Sequence, residues 1–252
     1  MRAALPNLAD ETVSATFSGV ILYYITDRTQ FPGDELSRQA ALLARIAEAV
    51  RWGVDYIQLR EKNLSTHDLE TLSRKAATEV RKNGNNTKFI INSRCDVAMA
   101  AGADGVHLRS QGDLAASDAR VIFTDGGKHH PIIACSCHTL EEVALAESHG
   151  ADLAVFAPVF EKNRLATAGL ETLRAACKRE VAASSRMPVL ALGGITLENA
   201  AECIKAGAAG VAGIRLFQSG DIGNTVSALR RLGGEANSAF RRRHPYQSEQ
   251  KL

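Results

Sequence analysis

Eight short, nearly continuous apolar runs, separated by longer segments, constrain the fold of this chain more than any other feature. They are Val20–Thr26, Tyr56–Arg60, Lys88–Asn92, Gly105–Leu108, Ile132–Cys135, Leu153–Ala157, Val189–Leu192 and Gly210–Ile214. A strand with one wet face alternates apolar and polar residues. These runs do not, so both their faces must be covered, as in a parallel sheet. The intervening segments carry the helical period. Leu36–Trp52 sets Ala40, Leu43, Ile46, Ala47 and Val50 on one side. Thr66–Lys82 follows Ser65 with Asp68 three residues on, the pattern of an N-cap. Thr139–Ser148 and Thr196–Ala206 each open on Thr and carry Glu in the first turn, where the helix dipole favours negative charge. The fourth segment, Ala115–Gly127, is the weakest, because its Val121-Ile122-Phe123 run also reads as a short strand.

Two units close alike, with Ala101-Gly102-Ala103-Asp104-Gly105-Val106 and Ala206-Gly207-Ala208-Ala209-Gly210-Val211, and a third closes with Gly150-Ala151-Asp152-Leu153. Glycine at a helix end just before a new strand makes a tight turn, and its recurrence marks a repeated strand–helix unit. Eight such units in 252 residues fit a single closed (β/α)8 barrel, a TIM barrel of the α/β class, better than an open doubly wound sheet. The expected division is an N-terminal extension over 1–19, the barrel over 20–234, and a polar, disordered C-terminal tail over 235–252.

Composition removes several function classes. A net charge of +2 gives no field for nucleic acid or an anionic membrane. Arg241, Arg242 and Arg243 in the tail do not make a nucleic-acid site by themselves. No run approaches the roughly 20 apolar residues of a membrane span. The first residues, which include Asp10 and Glu11, lack the apolar core of a secretion signal. Cys95, Cys135, Cys137, Cys177 and Cys203 are odd in number and lack zinc-site spacing, so they read as buried reduced thiols of a cytoplasmic protein. The sequence allows a homo-oligomer without specifying one.

Barrels of this kind place ligand-facing residues at the C-terminal ends of their strands. Those ends carry Thr26-Asp27-Arg28, then Gln58, Arg60 and Lys62, then Asn92-Ser93-Arg94, then His107 and Arg109. Ser136 and His138, Glu161-Lys162, Gly193-Gly194 and Gly213 complete the set. It is cationic and rich in donors, so phosphate or diphosphate oxygens are its natural partner. Gln58, Arg60 and Lys62 alternate along a strand and so point together into the mouth. The alternative is structural ion pairing with Glu61 or Asp55. Gly193-Gly194 stands between a strand and a helix start, where free amides bind an anion; a plain glycine turn is the competing reading. His138 is either a general acid/base or a loop histidine capping the next helix. His107, within a strand, reads as a packing residue.

Tyr24-Ile25-Thr26-Asp27, Gln58-Leu59-Arg60-Glu61-Lys62, Ile91-Asn92 and Gly102-Ala103-Asp104-Gly105-Val106-His107-Leu108 follow one another along the chain. After them come Ser136-Cys137-His138-Thr139-Leu140-Glu141-Glu142, Phe156-Ala157-Pro158-Val159-Phe160, Gly169-Leu170 and Leu192-Gly193-Gly194-Ile195-Thr196. Each motif is weak alone, but the ordered set resembles the thiamine phosphate synthase family and its relatives, the TenI-like thiazole tautomerases. The resemblance implies a transferase that joins a hydroxymethylpyrimidine diphosphate to a thiazole phosphate. The products are thiamine phosphate and pyrophosphate, reached through a pyrimidine cation. Such chemistry calls for cations and Mg2+ around the leaving group. By motif match, Gln58, Arg60, Lys62 and Asn92 hold the diphosphate, and Ser136 stands near the reacting centre. Lys62 and His138 are further catalytic candidates, and Gly193, Gly194, Gly213 and Ile214 hold the thiazole phosphate.

Three departures bear on the chemistry. Where the synthases carry an acidic magnesium ligand after the strand-three Asn, this chain has Ser93. The counterpart of their second ligand, Asp113, is offset by one residue. Their Thr-x-Thr-Lys loop is replaced by Glu161-Lys162-Asn163-Arg164. Losing a carboxylate weakens a hard-cation site. That leaves Asp113 as the metal candidate and Arg109 as a substrate-binding side chain whose charge stands in for part of the metal's. Two readings therefore accompany the synthase. One is a metal-independent tautomerase working through His138. The other is a non-catalytic phosphate-ligand-binding regulator of thiamine metabolism.

Overall fold

Every apolar run becomes a strand: β1 Ile21–Ile25, β2 Tyr56–Leu59, β3 Lys88–Asn92, β4 Gly105–Leu108, β5 Ile132–Cys137, β6 Leu153–Phe156, β7 Val189–Ala191 and β8 Gly210–Gly213. The computed structural model describes residues 19–84, 86–110, 112, 114–160, 168–178 and 187–243, with side chains as far as 233. The strands pair in parallel, in chain order, and β8 closes on β1. This is the TIM barrel expected from the sequence. The helices are α1 Glu35–Arg51, α2 Thr66–Asn83, α3 Cys95–Ala100, α4 Ala116–Asp125, α5 Leu140–Ser148, α6 Gly169–Lys178, α7 Ala200–Ala206, α8 Arg215–Gln218 and α9 Ile222–Arg243.

Successive strand residues point to opposite faces of the wall, which gives two cores. Leu22, Tyr24, Leu59, Ile91, Val106 and Phe156 turn outward against the helices. Ile21, Tyr23, Tyr56, Ile90, Val155 and Leu190 fill the lumen. With both faces dry, the strands carry no polar alternation. The caps read from the sequence form: Ser65 accepts from the Asp68 amide and Thr139 from the Glu142 amide.

Four local expectations need correction. The buried stripe of α1 is Leu42, Ile46, Ala47, Ala49 and Val50, which keeps the expected Ile46, Ala47 and Val50, but Ala40 is exposed and Leu43 only partly buried, because alanines ring this helix and allow more than one apolar face. Val121-Ile122-Phe123 lies in helix α4 and not in a strand; only Phe123 is fully buried, as one face of a helix requires. Helix α7 begins at Ala200 and not at Thr196, because Thr196–Asn199 forms a turn of its own. Helix α9 continues through Arg243, past the boundary drawn at Glu235. Residues 244–252 and nearly all of the expected N-terminal extension lie outside the described residues.

The N-terminal end of the barrel repeats one device. Asp55, Asp104 and Asp152 each stand just before an even-numbered strand and accept the free amide of the preceding odd strand. Leu22 N, Phe89 N and Ile133 N donate to them at 2.7, 2.8 and 2.7 Å. Gly105 and Gly210 begin two of the even strands at a close backbone approach. A Cβ there would stand 1.8 Å from Ile132 O and 2.0 Å from Ile21 O.

Candidate active site at the C-terminal mouth

The polar floor of the mouth starts on β2 and β3. Gln58 points inward, is 1% exposed, and donates through Nε2 to Asn92 Oδ1 at 2.8 Å. Asn92 Nδ2 in turn donates to Ser93 Oγ at 3.2 Å. Ser93 has a φ of 58°, a conformation uncommon for a side-chain-bearing residue. The remaining Gln58 acceptor, Oε1, is buried and has no partner among the described residues. An acceptor left so costs about 1–3 kcal/mol, a cost that a ligand donor would offset.

β2 ends at Leu59, so Arg60, half-buried, follows the strand, and Lys62, exposed, lies in a turn and not in the strand alternation expected from the sequence. Neither is ion-paired among the described residues, because the nearby acids are engaged elsewhere. Glu61 accepts from Thr26 Oγ1 at 2.6 Å, from the Arg28 amide, and from Arg28 Nη1 at 3.1 Å. Burial raises the Glu61 carboxyl above its ordinary range, and these hydrogen bonds act against that rise. Asp55 lies at the opposite end of the barrel with Arg230. The structural ion-pair reading of Arg60 and Lys62 therefore finds no partner at ion-pair distance among the described residues, although the Arg60 charge is near enough to Asp27 to help lower that carboxyl. Arg28 differs: it is buried between Glu35 and Glu61 and adds no free charge to the mouth.

At the centre, Tyr23 Oη meets His107 Nδ1 at 2.7 Å, and His107 Nε2 meets Ser136 Oγ at 2.8 Å. His107 is packed, as expected, but is also bonded through both ring nitrogens. Burial, helped by the nearby Arg60 charge, pulls its pKa down to about 3, so the ring is neutral. Ser136 is half-buried at the end of β5. His138 is exposed, and its Nδ1 lies 2.5 Å from Ala157 O. A carbonyl only accepts, so Nδ1 carries a hydrogen, and in the neutral ring Nε2 is then the nitrogen with the lone pair. The cap of α5 uses the His138 main chain, whose amide donates to Glu142 Oε2 at 2.6 Å, and not its ring.

Across the mouth, Gly193, Gly194, Gly213 and Ile214 line one cavity of about 470 Å³, together with Thr196 and Thr225. Gly193 and Gly194 have φ of 98° and 64°. A Cβ on Gly193 would stand 2.7 Å from Pro158 Cα. The glycines are thus needed by the turn itself, yet the Gly194 and Ile195 amides still have no acceptor among the described residues. The Thr196 amide is taken by Asn199 Oδ1 at 2.8 Å, and Asn199 Nδ2 holds Gly194 O at 2.9 Å. The short helix α8 follows Ile214, as in the phosphate sites common after strands seven and eight of such barrels.

Sequence reasoning missed Tyr23, Asn199 and Gln218. Gln218 accepts from Tyr24 Oη and the Asp27 amide and donates to Asp27 O, tying the end of β1 to α8. Only Asn199 had a local signal, three residues after Thr196. Arg109 is exposed and lines a separate cavity of about 270 Å³ with Ser110, Ser136 and Glu142. Asp113, Glu161 and Lys162 lie outside the described residues. All five cysteines are buried. Burial pushes the Cys135 thiol to about 11 and Cys203 to about 12, which makes them poor nucleophiles.

Fold and mouth together define a (β/α)8 barrel with an anion-receptive C-terminal face. The family model described as thiamine monophosphate synthase matches residues 22–217. A thiamine-phosphate synthase from Methanoculleus marisnigri is 39% identical over 213 residues, 84% of this chain and 94% of the relative. One from Chlorobium luteolum is 39% identical over 192 residues, 76% of this chain and 82% of the relative. The thiamine phosphate pyrophosphorylase structure from Pyrococcus furiosus superposes with a TM-score of 0.68 at 31% identity, covering 86% of this chain and 96% of its own. The chain belongs to the thiamine monophosphate synthase family.

Proposed function

We infer that this chain is a thiamine-phosphate synthase, joining hydroxymethylpyrimidine diphosphate to thiazole phosphate with release of pyrophosphate. The observation that carries the reading is the presence of two separate anion-receptive regions on one mouth. One is the cationic pair Arg60 and Lys62, which follows the Gln58–Asn92 floor at the end of β2. The other is the Gly193–Ile214 cavity with its free amides. Joining two phosphorylated molecules needs two such regions, and isomerising one needs only one. In this reading Arg60 and Lys62 take the charge that develops on the departing diphosphate, and Ser136 stands at the reacting centre. The glycine amides hold the thiazole phosphate.

The residues described here do not make a magnesium site. The corner beside Asn92 offers the neutral Ser93 Oγ, already in a hydrogen bond. Among the described residues no group of three Asp, Glu, His or Cys side chains could hold a metal. A bound Mg2+ would neutralise the leaving group, and the sequence offers Asp113 as its charged ligand. That same corner favours the second reading, a tautomerase in which the free Nε2 of His138 moves a proton.

Incubation with both substrates, with and without Mg2+, tests the inference by release of pyrophosphate. Release coupled to thiamine phosphate formation is expected. Its absence at high enzyme concentration, with isomerisation of the thiazole lost in His138→Ala, would move the assignment to the tautomerase.

A further inference from the structure

Tyr23, His107 and Ser136 form one hydrogen-bonded line from the dry lumen to the mouth. We propose that Tyr23 and His107 are positioning residues that fix the Ser136 hydroxyl as a one-way hydrogen-bond donor to an anionic ligand oxygen.

Tyr23 sets the direction. Its side chain is fully buried between β1 and the opposite wall, stacked on Tyr56 with ring centroids 5.6 Å apart. Among the described residues its hydroxyl has one partner, His107 Nδ1 at 2.7 Å. A buried O–H must donate somewhere. Were the hydrogen on Nδ1, the phenol hydrogen would have no acceptor. Tyr23 therefore donates to Nδ1, and the neutral ring carries its hydrogen on Nε2. Nε2 then donates to Ser136 Oγ at 2.8 Å. A serine hydroxyl that accepts from a fixed N–H keeps its own hydrogen free, and Ser136 stands half-buried at the mouth with no other partner among the described residues.

The geometry separates this line from a nucleophilic serine–histidine pair, which shares the short Ser–His distance. In such a pair the far ring nitrogen donates to a carboxylate, which stabilises the imidazolium formed when serine gives up its proton. Here the far nitrogen accepts from a phenol, which has no charge to offer. Burial holds the Tyr23 hydroxyl well above its ordinary range, and burial plus the Arg60 charge resist a charged His107. Ser136 is thus kept protonated and aimed. That the receiving oxygen belongs to a departing diphosphate rests on the synthase reading; the direction of the hydrogen bonds does not.

The imidazole tautomer is the first test. Nitrogen NMR of the full chain labelled at histidine, with His107→Gln to assign the signal, should show one ring bare at Nδ1 and protonated at Nε2. It should not titrate between about pH 5.5 and 8, the range in which an ordinary histidine changes charge. A hydrogen on Nδ1, or titration in that range, overturns the proposal. The second test is kinetic. Tyr23→Phe should lower kcat about tenfold, the value of one well-made hydrogen bond, with KM nearly unchanged. In Ser136→Ala the same change should cost nothing more. Equal losses in both backgrounds would overturn the proposal. If the native chain releases no pyrophosphate, the synthase reading fails by itself, and the NMR spectrum still decides the relay.

Discussion

The two ends of this barrel are built from the same strands and obey opposite rules. At the N-terminal end, Asp55, Asp104 and Asp152 close the amides of the preceding strands. Asp55 and Asp152 are paired in turn with Arg230 and Arg120. Two glycines there let backbones meet. At the C-terminal end, Arg60 and Lys62 have no acid at ion-pair distance, Gln58 Oε1 has no donor and the Gly194 and Ile195 amides have no acceptor among the described residues. Unmet polar groups cost stability, so a folded chain keeps them only where something else meets them. The difference teaches where to look: the satisfied end holds the fold, and the unsatisfied end awaits the ligand.

The largest expected effect breaks the mouth without touching the other end. Arg60→Ala should lower kcat/KM for the two-substrate reaction about 10²–10³-fold, the range for losing a group that stabilises developing charge. Its urea midpoint should not move. A comparable loss of stability would mean that Arg60 belongs to the structural end after all.

The reverse experiment is Gly210→Ala. Its Cβ would meet Ile21 O at 2.0 Å, so β1 and β8 must part and stability should fall by about 3 kcal/mol. The protein that remains folded should keep its KM values. A change in KM without a change in the urea midpoint would blur the division between the ends.

The most gradual effect lies between them, in the lumen. His107 has a folded pKa of about 3 against 6.5 unfolded. Between those values the unfolded chain holds a proton that the folded chain does not. The stability gained from the neutral ring is therefore present above about pH 6.5 and lost as pH falls toward 3. The slope is at most about 1.4 kcal/mol per pH unit. Glu61, raised by burial, acts in the opposite sense, costing stability as pH rises through its own titration. Urea unfolding over this range should show the slope in the native chain and a reduced slope in His107→Gln. An unchanged slope would assign the acid sensitivity to other groups.

The sequence by itself determined the barrel and most of its mouth. Strands buried on both faces leave uninterrupted apolar runs. Helices end on glycines with positive φ such as Gly102, Gly150 and Gly207. Residues alternate along β2 so that Gln58 and Arg60 share a direction. All of these are local patterns, set by burial and backbone sterics within a few residues. The apolar run of α4 and the start of α7 were less legible, because a short apolar triplet and a capped turn each suit more than one element. Only the tertiary structure decided which polar groups meet. Arg28 and Arg60 look alike in sequence, yet one is neutralised by Glu61 and Glu35 while the other makes no ion pair among the described residues. Tyr23 finds His107 across 84 residues, and Gln218 reaches Asp27 across 191. Such pairs form only when closure of the barrel sets distant strands side by side. No local period encodes that proximity.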